Sequence, residues 1–416
     1  MFWEQERADI MKTTIALSAM LLLSVASTSV ADNAQQDATD GFFGIGESLA
    51  GSGVEIGVGV TGIYQQTVRG GLDTHRRSGR HSGSYDLEMT ADLQKLLGFD
   101  GGSIYILVEG GWPDEEGIDA GSVGSVFGVN ADAIGNDAML VKELYCRYPL
   151  LGDNTTLMVG KIDFTSVFDA SAYADDETSQ FLNGAFVDNP TIPFPDYSLG
   201  AVLSCNPTES WYIMAGAADA QADGRETGFR TTFGGEDYFL YILETGITLE
   251  LDSAGRALQG AYRAGLWNDP QPKGHSDATR NYRDDVGFYI SCDQMLTKEN
   301  TEPEDSQGLG TFFRYGYANS RKNDIHCFWS VGFQYQGLVE GRDEDVLGIG
   351  FAQGIFSNKA SATYTEDCEN ALELYYNVLV RRQVSISPGI QYITNPGGDN
   401  AVSDAVVLGL RTQIMF

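Results

Sequence analysis

Val406-Val407-Leu408-Gly409-Leu410-Arg411-Thr412-Gln413-Ile414-Met415-Phe416 alternates along its length. One parity carries Val406, Leu408, Leu410, Thr412, Ile414 and Phe416; the other carries Val407, Gly409, Arg411, Gln413 and Met415. Successive side chains of a strand point to opposite faces, so this stretch has one apolar face and one face of small and polar groups. Such a strand suits a wall between lipid and water, and a terminal aromatic marks strands of bacterial outer-membrane barrels. The segment predicts an all-β fold, a transmembrane antiparallel β-barrel in the bacterial outer membrane.

The other end agrees. Met11-Lys12 opens a short basic region, residues 13–25 are apolar or small, and Ser29-Val30-Ala31 fits a small-x-small cleavage site. Residues 1–31 read as a secretion leader, with the mature start at Asp32. Glu4, Glu6 and Asp9 suit such a leader poorly, so Met11 is the expected start. The apolar run falls short of the ~20 residues a spanning helix needs. Residues 32–53 read as a short periplasmic segment and 54–416 as the barrel.

Composition supports a wall protein. The chain has 50 glycines, 20 tyrosines and 21 phenylalanines, and only 20 % of its residues are charged. Glycine allows close strand packing and aromatics supply interfacial girdles. A net charge of −32 excludes phosphate-driven nucleic-acid binding; most acidic residues fall between the alternating runs and read as solvated external loops, with a cation-attracting pore mouth as the alternative. Cys146, Cys205, Cys292, Cys327 and Cys368 are odd in number and widely spaced, and read as small hydrophobic residues rather than as a disulfide framework.

Alternating runs fall at 54–66, 84–92, 103–110, 140–149, 155–162, 197–205, 211–218, 237–250, 256–267, 286–296, 309–318, 327–337, 345–353, 372–380, 384–394 and 404–416. That is about sixteen, each near the length a tilted spanning strand needs. Short gaps alternate with long ones, as periplasmic turns alternate with external loops. The connections at 299–307, 319–325 and 337–344 fit this alternation least well.

If the apolar parity faces lipid, the other parity lines a lumen. It carries Glu143 and Arg147, Arg263, Arg314, Gln334, Glu373, Gln391, Arg411 and Gln413. An arginine facing hydrocarbon costs about 2–4 kcal/mol near the midplane, so the arginines should point inward. There they either meet solute or pair with inner carboxylates such as Glu143, Glu244 and Glu373. The longest gap, 163–196, contains Asp163, Asp169, Tyr173, Asp175, Asp176, Glu177, Gln180 and Asn183, with phenylalanines and prolines among them. By count it is the third external loop, the one expected to fold into the lumen and constrict it; a packed Ω-like surface loop is the alternative. Its carboxylates and amides can hydrogen-bond sugar hydroxyls, and its rings can stack on pyranose faces.

Several stretches together resemble the OprB-like carbohydrate-selective porins. They are Gly160-Lys161-Ile162-Asp163, Tyr173-Ala174-Asp175-Asp176-Glu177, Gln180-Phe181-Leu182-Asn183, Tyr262-Arg263-Ala264-Gly265-Leu266-Trp267, Phe313-Arg314-Tyr315-Gly316-Tyr317-Ala318, and Ser387-Pro388-Gly389-Ile390-Gln391-Tyr392. The resemblance covers most of the mature chain. It implies a sixteen-stranded barrel through which mono- and oligosaccharides diffuse. The acidity and the cysteines depart from that pattern.

Enzyme chemistry finds no footing. His75, His81, His275 and His326 have no metal-ligand spacing and read mainly as loop residues, and no nucleophile elbow or phosphate-binding loop occurs. No cofactor or metal is expected. The expected partners are sugars, outer-membrane lipid, the barrel-assembly machinery through Phe416, and further copies of the chain. A general or cation-preferring porin and a plugged structural or adhesive barrel are the alternatives.

Overall fold

The computed structural model describes residues 46–73, 79–99, 101–112, 117–135, 139–150, 152, 154–235, 238–253, 255–274, 281–301, 306–359 and 364–416. Residues 1–31, read above as a leader, residues 32–45, His75 and His275 lie outside them. A short helix, Gly46–Ser52, comes first.

Among the described residues, eighteen strands follow. They are β1 (Val54–Gly71), β2 (Gly79–Asp92), β3 (Ser103–Trp112), β4 (Leu140–Pro149), β5 (Thr155–Ile162), β6 (Ser198–Thr208), β7 (Trp211–Asp219), β8 (Phe239–Ser253), β9 (Arg256–Asp269), β10 (Lys273–Gly274), β11 (Asn281–Tyr282), β12 (Asp285–Lys298), β13 (Gly308–Tyr317), β14 (Ile325–Gln336), β15 (Val346–Phe356), β16 (Cys368–Arg381), β17 (Val384–Thr394) and β18 (Ser403–Met415). Sixteen of them form one closed barrel in which each strand pairs with its chain neighbours, while β10 and β11 form a separate hairpin. The seam joins β1 to β18 antiparallel, with Gly59 opposite Met415 and Tyr64 opposite Leu410. Phe416 extends it by exchanging backbone hydrogen bonds with Val58, at 2.9 and 3.2 Å. Closure leaves no unpaired edge, which hydrocarbon would not tolerate.

Every run read from the alternation corresponds to a barrel strand. The differences lie at strand ends. β2 starts at Gly79 rather than at 84, because Arg80, His81 and Ser82 still pair in register with Gln65, Tyr64 and Ile63. The hydrogen-bonded ladder continues above the apolar belt, where side-chain alternation no longer marks it. For the same reason His81 and His326 belong to β2 and β14, not to loops. The β10–β11 hairpin, with two residues per strand, left no periodic signal.

Burial confirms which parity faces which way. On β18, Leu408 and Leu410 are 45 % and 42 % exposed, whereas Val407 and Arg411 are 1 % and 3 % exposed. All five cysteines are half-buried free thiols. Two apolar clusters combine residues of the wall with residues of its connections. One is built around Phe181, Phe186 and Phe312, the other around Phe164, Phe168 and Trp267.

Leu410→Arg places a charge on the lipid face and is expected to cost about 2–4 kcal/mol. Denaturant unfolding of the variant in lipid vesicles measures this, with Gly409→Ser, one residue along on the inner parity, as the neutral comparison.

Candidate functional site

The segment 163–196 is tied by side chains to many strands. Leu182 and Asn183 donate their backbone N–H groups to the two Glu373 oxygens of β16, at 2.9 and 2.8 Å. Asn183 Nδ2 donates to Gln391 Oε1 on β17 at 3.0 Å, and Asn183 Oδ1 caps the one-turn helix Gly184–Val187 by accepting from Ala185. Asp169 N donates to Glu244 on β8, which also accepts from the hydroxyls of Tyr212 and Tyr289, both at 2.7 Å. Ser171 Oγ donates to Asp293 Oδ1 on β12, and Arg263 of β9 holds the other oxygen at 2.7 Å. Gln413 and Asn377 donate to Thr178 and to the Ser179 carbonyl.

Two arginines complete the attachment. Arg314 on β13 is 1 % exposed. It donates to the carbonyls of Phe186, Val187 and Asp169, and to Asp175 Oδ1 at 2.6 Å. Asp169 Oδ2 lies 3.9 Å from its Nε. Arg411 on β18 donates to the carbonyls of Glu177 and Gln180, at 2.6 and 2.9 Å, and to Ser387. A buried guanidinium is tolerable only when most of its donors find acceptors, and here segment backbone supplies many of them.

Glycines of the wall make room for the segment's rings. A Cβ at Gly310 would lie 2.2 Å from the Tyr173 ring. At Gly350 it would lie 2.7 Å from Phe186 and 2.9 Å from Phe181, and at Gly216 2.8 Å from Phe164. Phe181 packs edge-on against Tyr375 and Phe312, at centroid distances of 5.0 and 5.7 Å. Close aromatic packing against these glycines of β7, β13 and β15 adds apolar burial to the polar ties.

A second segment, 117–135, joins the first. The Val129 carbonyl accepts from Gln65 on β1 and from Gln391, at 2.6 and 2.9 Å. Asn130 donates to Ser82, and Ser125 and Val126 donate to Glu369. Backbone bonds link Ala131 to Leu182 and Gly184 to Gly128. The sequence offered one cue to this: Val123, Val126, Phe127 and Val129 are apolar for a solvated loop.

Beside these segments lies a cavity of about 550 Å³. Glu109, Asp163, Asp175, Glu177, Asp188 and Asp196 line it, with Phe194, Tyr197 and Pro190, Pro193 and Pro195. Burial, reinforced by Asp163, pushes the Asp188 carboxyl up to about 6. Burial likewise raises Asp132, at the rim of segment 117–135, to about 8, against a hydrogen bond from Ser84.

The candidate residues fall into groups. Asp169, Tyr173, Asp175, Gln180, Asn183, Arg263, Arg314, Glu373, Gln391 and Arg411 meet where segment and wall join. Asp163 and Glu143 sit together, since Asp163 N donates to Glu143 at 2.9 Å. Asp176 accepts from Thr178 and Ser179 within its own turn. Gln334 reaches the segment at one remove, by donating to the Tyr375 hydroxyl at 2.9 Å. Arg147 is exposed on β4 opposite Met158 and takes no part in these contacts. Glu244, named above only as an inner carboxylate, also holds the segment, and Gln65, Glu109, Asp293 and Glu369 hold or line the site without having been marked by the alternation.

A closed sixteen-stranded antiparallel barrel with an apolar outer belt and a polar inner face defines an outer-membrane channel protein. Residues 76–416 match the family described as carbohydrate-selective porin, OprB family, and the chain belongs to it. It therefore resides in the bacterial outer membrane. Porin B of Pseudomonas aeruginosa is 24 % identical over 243 residues, 51 % of this chain and 53 % of that protein. An uncharacterized protein of Aquifex aeolicus is 38 % identical over 208 residues, 46 % of this chain and 61 % of that one. The chain thus spans between half and two thirds of the length of these relatives. The high-pH structure of Pseudomonas putida OprB superposes with a TM-score of 0.76 at 18 % identity, over 90 % of this chain and 96 % of that one. That likeness is one of fold.

Arg314→Ala leaves Asp169 and Asp175 without their cation and is expected to cost about 3–5 kcal/mol of segment attachment. The barrel should still form, as judged by heat-modifiable migration. Amide hydrogen exchange over 164–188 should rise by orders of magnitude while strand amides stay protected.

Proposed function

We propose that this protein is a passive channel for small carbohydrates, narrowed by segment 163–196 lying inside the barrel. One observation carries the reading. The segment bonds to side chains of β8, β12, β13, β16, β17 and β18, strands that span more than half of the closed ring. Contacts with so many strands support a segment lying within the ring. Beside it, carboxylates can accept from sugar hydroxyls, while Phe194 and Tyr197 offer ring faces. Weak binding of this kind orients a solute and still releases it, which conduction requires.

The same geometry favours a cation preference. Arg263, Arg314 and Arg411 spend their donors on Asp293 and on the segment, and six carboxylates line the open cavity. A narrow opening lined by one sign of charge concentrates counter-ions.

Purified protein in planar bilayers tests both readings. Glucose and maltose series should reduce open-channel current saturably, and a potassium chloride gradient should give a reversal potential of the cation-selective sign. As pH falls from 8 to 5, Asp188 and its neighbours take up protons and lose charge, so the cation preference should decline. Current indifferent to every sugar contradicts the carbohydrate reading. An absent channel in well-folded protein points to a plugged barrel.

A further inference from the structure

Lys161 on β5 stands on the outer parity. It pairs across to Leu144 and Leu199, and Leu144 is 47 % exposed on the lipid-facing wall. Its neighbours Gly160 and Ile162 have the inner parity, and Ile162 is fully buried in the Phe164 cluster. A lysine on that outer face would be costly in hydrocarbon. Lys161 is nonetheless only 6 % exposed. Its ammonium donates to the carbonyls of Val141, Gly224 and Glu226, at 2.9, 2.7 and 2.8 Å, so all three donors are used.

Two of those carbonyls belong to the connection between β7 and β8. That connection is therefore folded over the outer rim of the barrel. A second contact fixes the same placement: Gly228, at φ +85°, lies so close to Leu199 that a Cβ there would be 2.8 Å from its Cγ. Thr232 ties the far end back by donating to Asp219 at 2.9 Å. Gly228 caps, and Thr232 belongs to, the short helix Phe229–Phe233. Its two phenylalanines are 64 % and 71 % exposed and stack on each other at 6.3 Å. Below Lys161 and Leu199 on the same outer face stand Val159 and Leu203, 47 % and 43 % exposed. Gly228, packed on Leu199, sets the start of the phenylalanine helix beside this apolar face, and Arg230, between the two phenylalanines in the chain, pairs with Glu226 at 2.6 Å.

We propose that the helix Phe229–Phe233 is a membrane anchor, with both rings inserted among the acyl chains of the outer leaflet. The occupant is lipid because the chain entering the helix packs on Leu199 and Lys161 of the lipid-facing parity, which sets the two exposed rings next to that wall. Aromatic side chains at the rim of that wall favour the interface between acyl chains and headgroups. The lysine cap gives the anchor its position. By spending carbonyls of the connection on Lys161, the fold both removes a charge from the lipid face and holds the helix at bilayer height.

A nitroxide label tests this in full-length protein refolded into lipid vesicles. The label is placed at Phe233→Cys in a background whose five cysteines are replaced by alanine. Collision with oxygen and with a water-soluble nickel complex is read by electron paramagnetic resonance. Labels at Leu203→Cys and Arg321→Cys serve as the lipid and water references. The anchor predicts an oxygen-to-nickel ratio within about twofold of the Leu203 label and well above the Arg321 label, repeated by a label at Phe229→Cys. A ratio matching Arg321 overturns the proposal, since the helix then stands in water. Low collision with both reagents, together with a dipolar signal between labels on two copies, also overturns it and assigns the patch to a subunit interface.

Discussion

Hydrocarbon offers no hydrogen bonds, and the rest of this structure follows from that constraint. A sheet placed in a bilayer must satisfy every backbone donor and acceptor within itself, so sixteen strands close through the β1–β18 seam. Closure fixes an inside and an outside. Alternation then assigns each residue to one of them, and a register slip of one would turn Arg314 and Arg411 into the lipid. The seam is carried to the end of the chain by Phe416, bonded to Val58.

The inner wall makes many polar and aromatic contacts with segments 117–135 and 163–196. Its glycines seat rings, its carboxylates Glu244, Glu369 and Glu373 accept backbone N–H groups, and its arginines donate to backbone carbonyls. Much of the charge on the inner wall is therefore consumed in holding two segments that have little regular structure of their own. Such segments can stay fixed because their backbone groups are bonded to side chains. What remains open is the acidic side of the cavity. That division suits a channel whose selectivity rests on a few fixed groups.

The strands were legible because period two survives wherever one face meets lipid. Leu408 and Leu410 against Val407 and Arg411 is such a case, and it located β18 to within a residue. The gap 163–196 was legible as unusual by its length and its aromatics. Less visible was what the inner residues touch. Parity places Arg411 inside but does not tell whether water, sugar or the Gln180 carbonyl lies opposite. Segment 117–135 escaped notice for a related reason. Its partners, such as Val129 with Gln391, are far apart in the chain, and no local pattern encodes them. The cap on Lys161 was hidden in the same way, since its acceptors are backbone carbonyls that any sequence would supply.

The central claim is that segment 163–196 is docked on the inner wall, and proximity chemistry tests it most directly. Asn183→Cys and Gln391→Cys, in a cysteine-free background, replace side chains that meet at 3.0 Å. In outer-membrane vesicles, mild oxidation or a short bifunctional thiol reagent should join them rapidly in folded barrels and leave channel conductance close to that of the unlinked protein. Failure to cross-link in folded barrels, with a control pair across the β16–β17 ladder reacting normally, would contradict the docked segment and the constriction built on it.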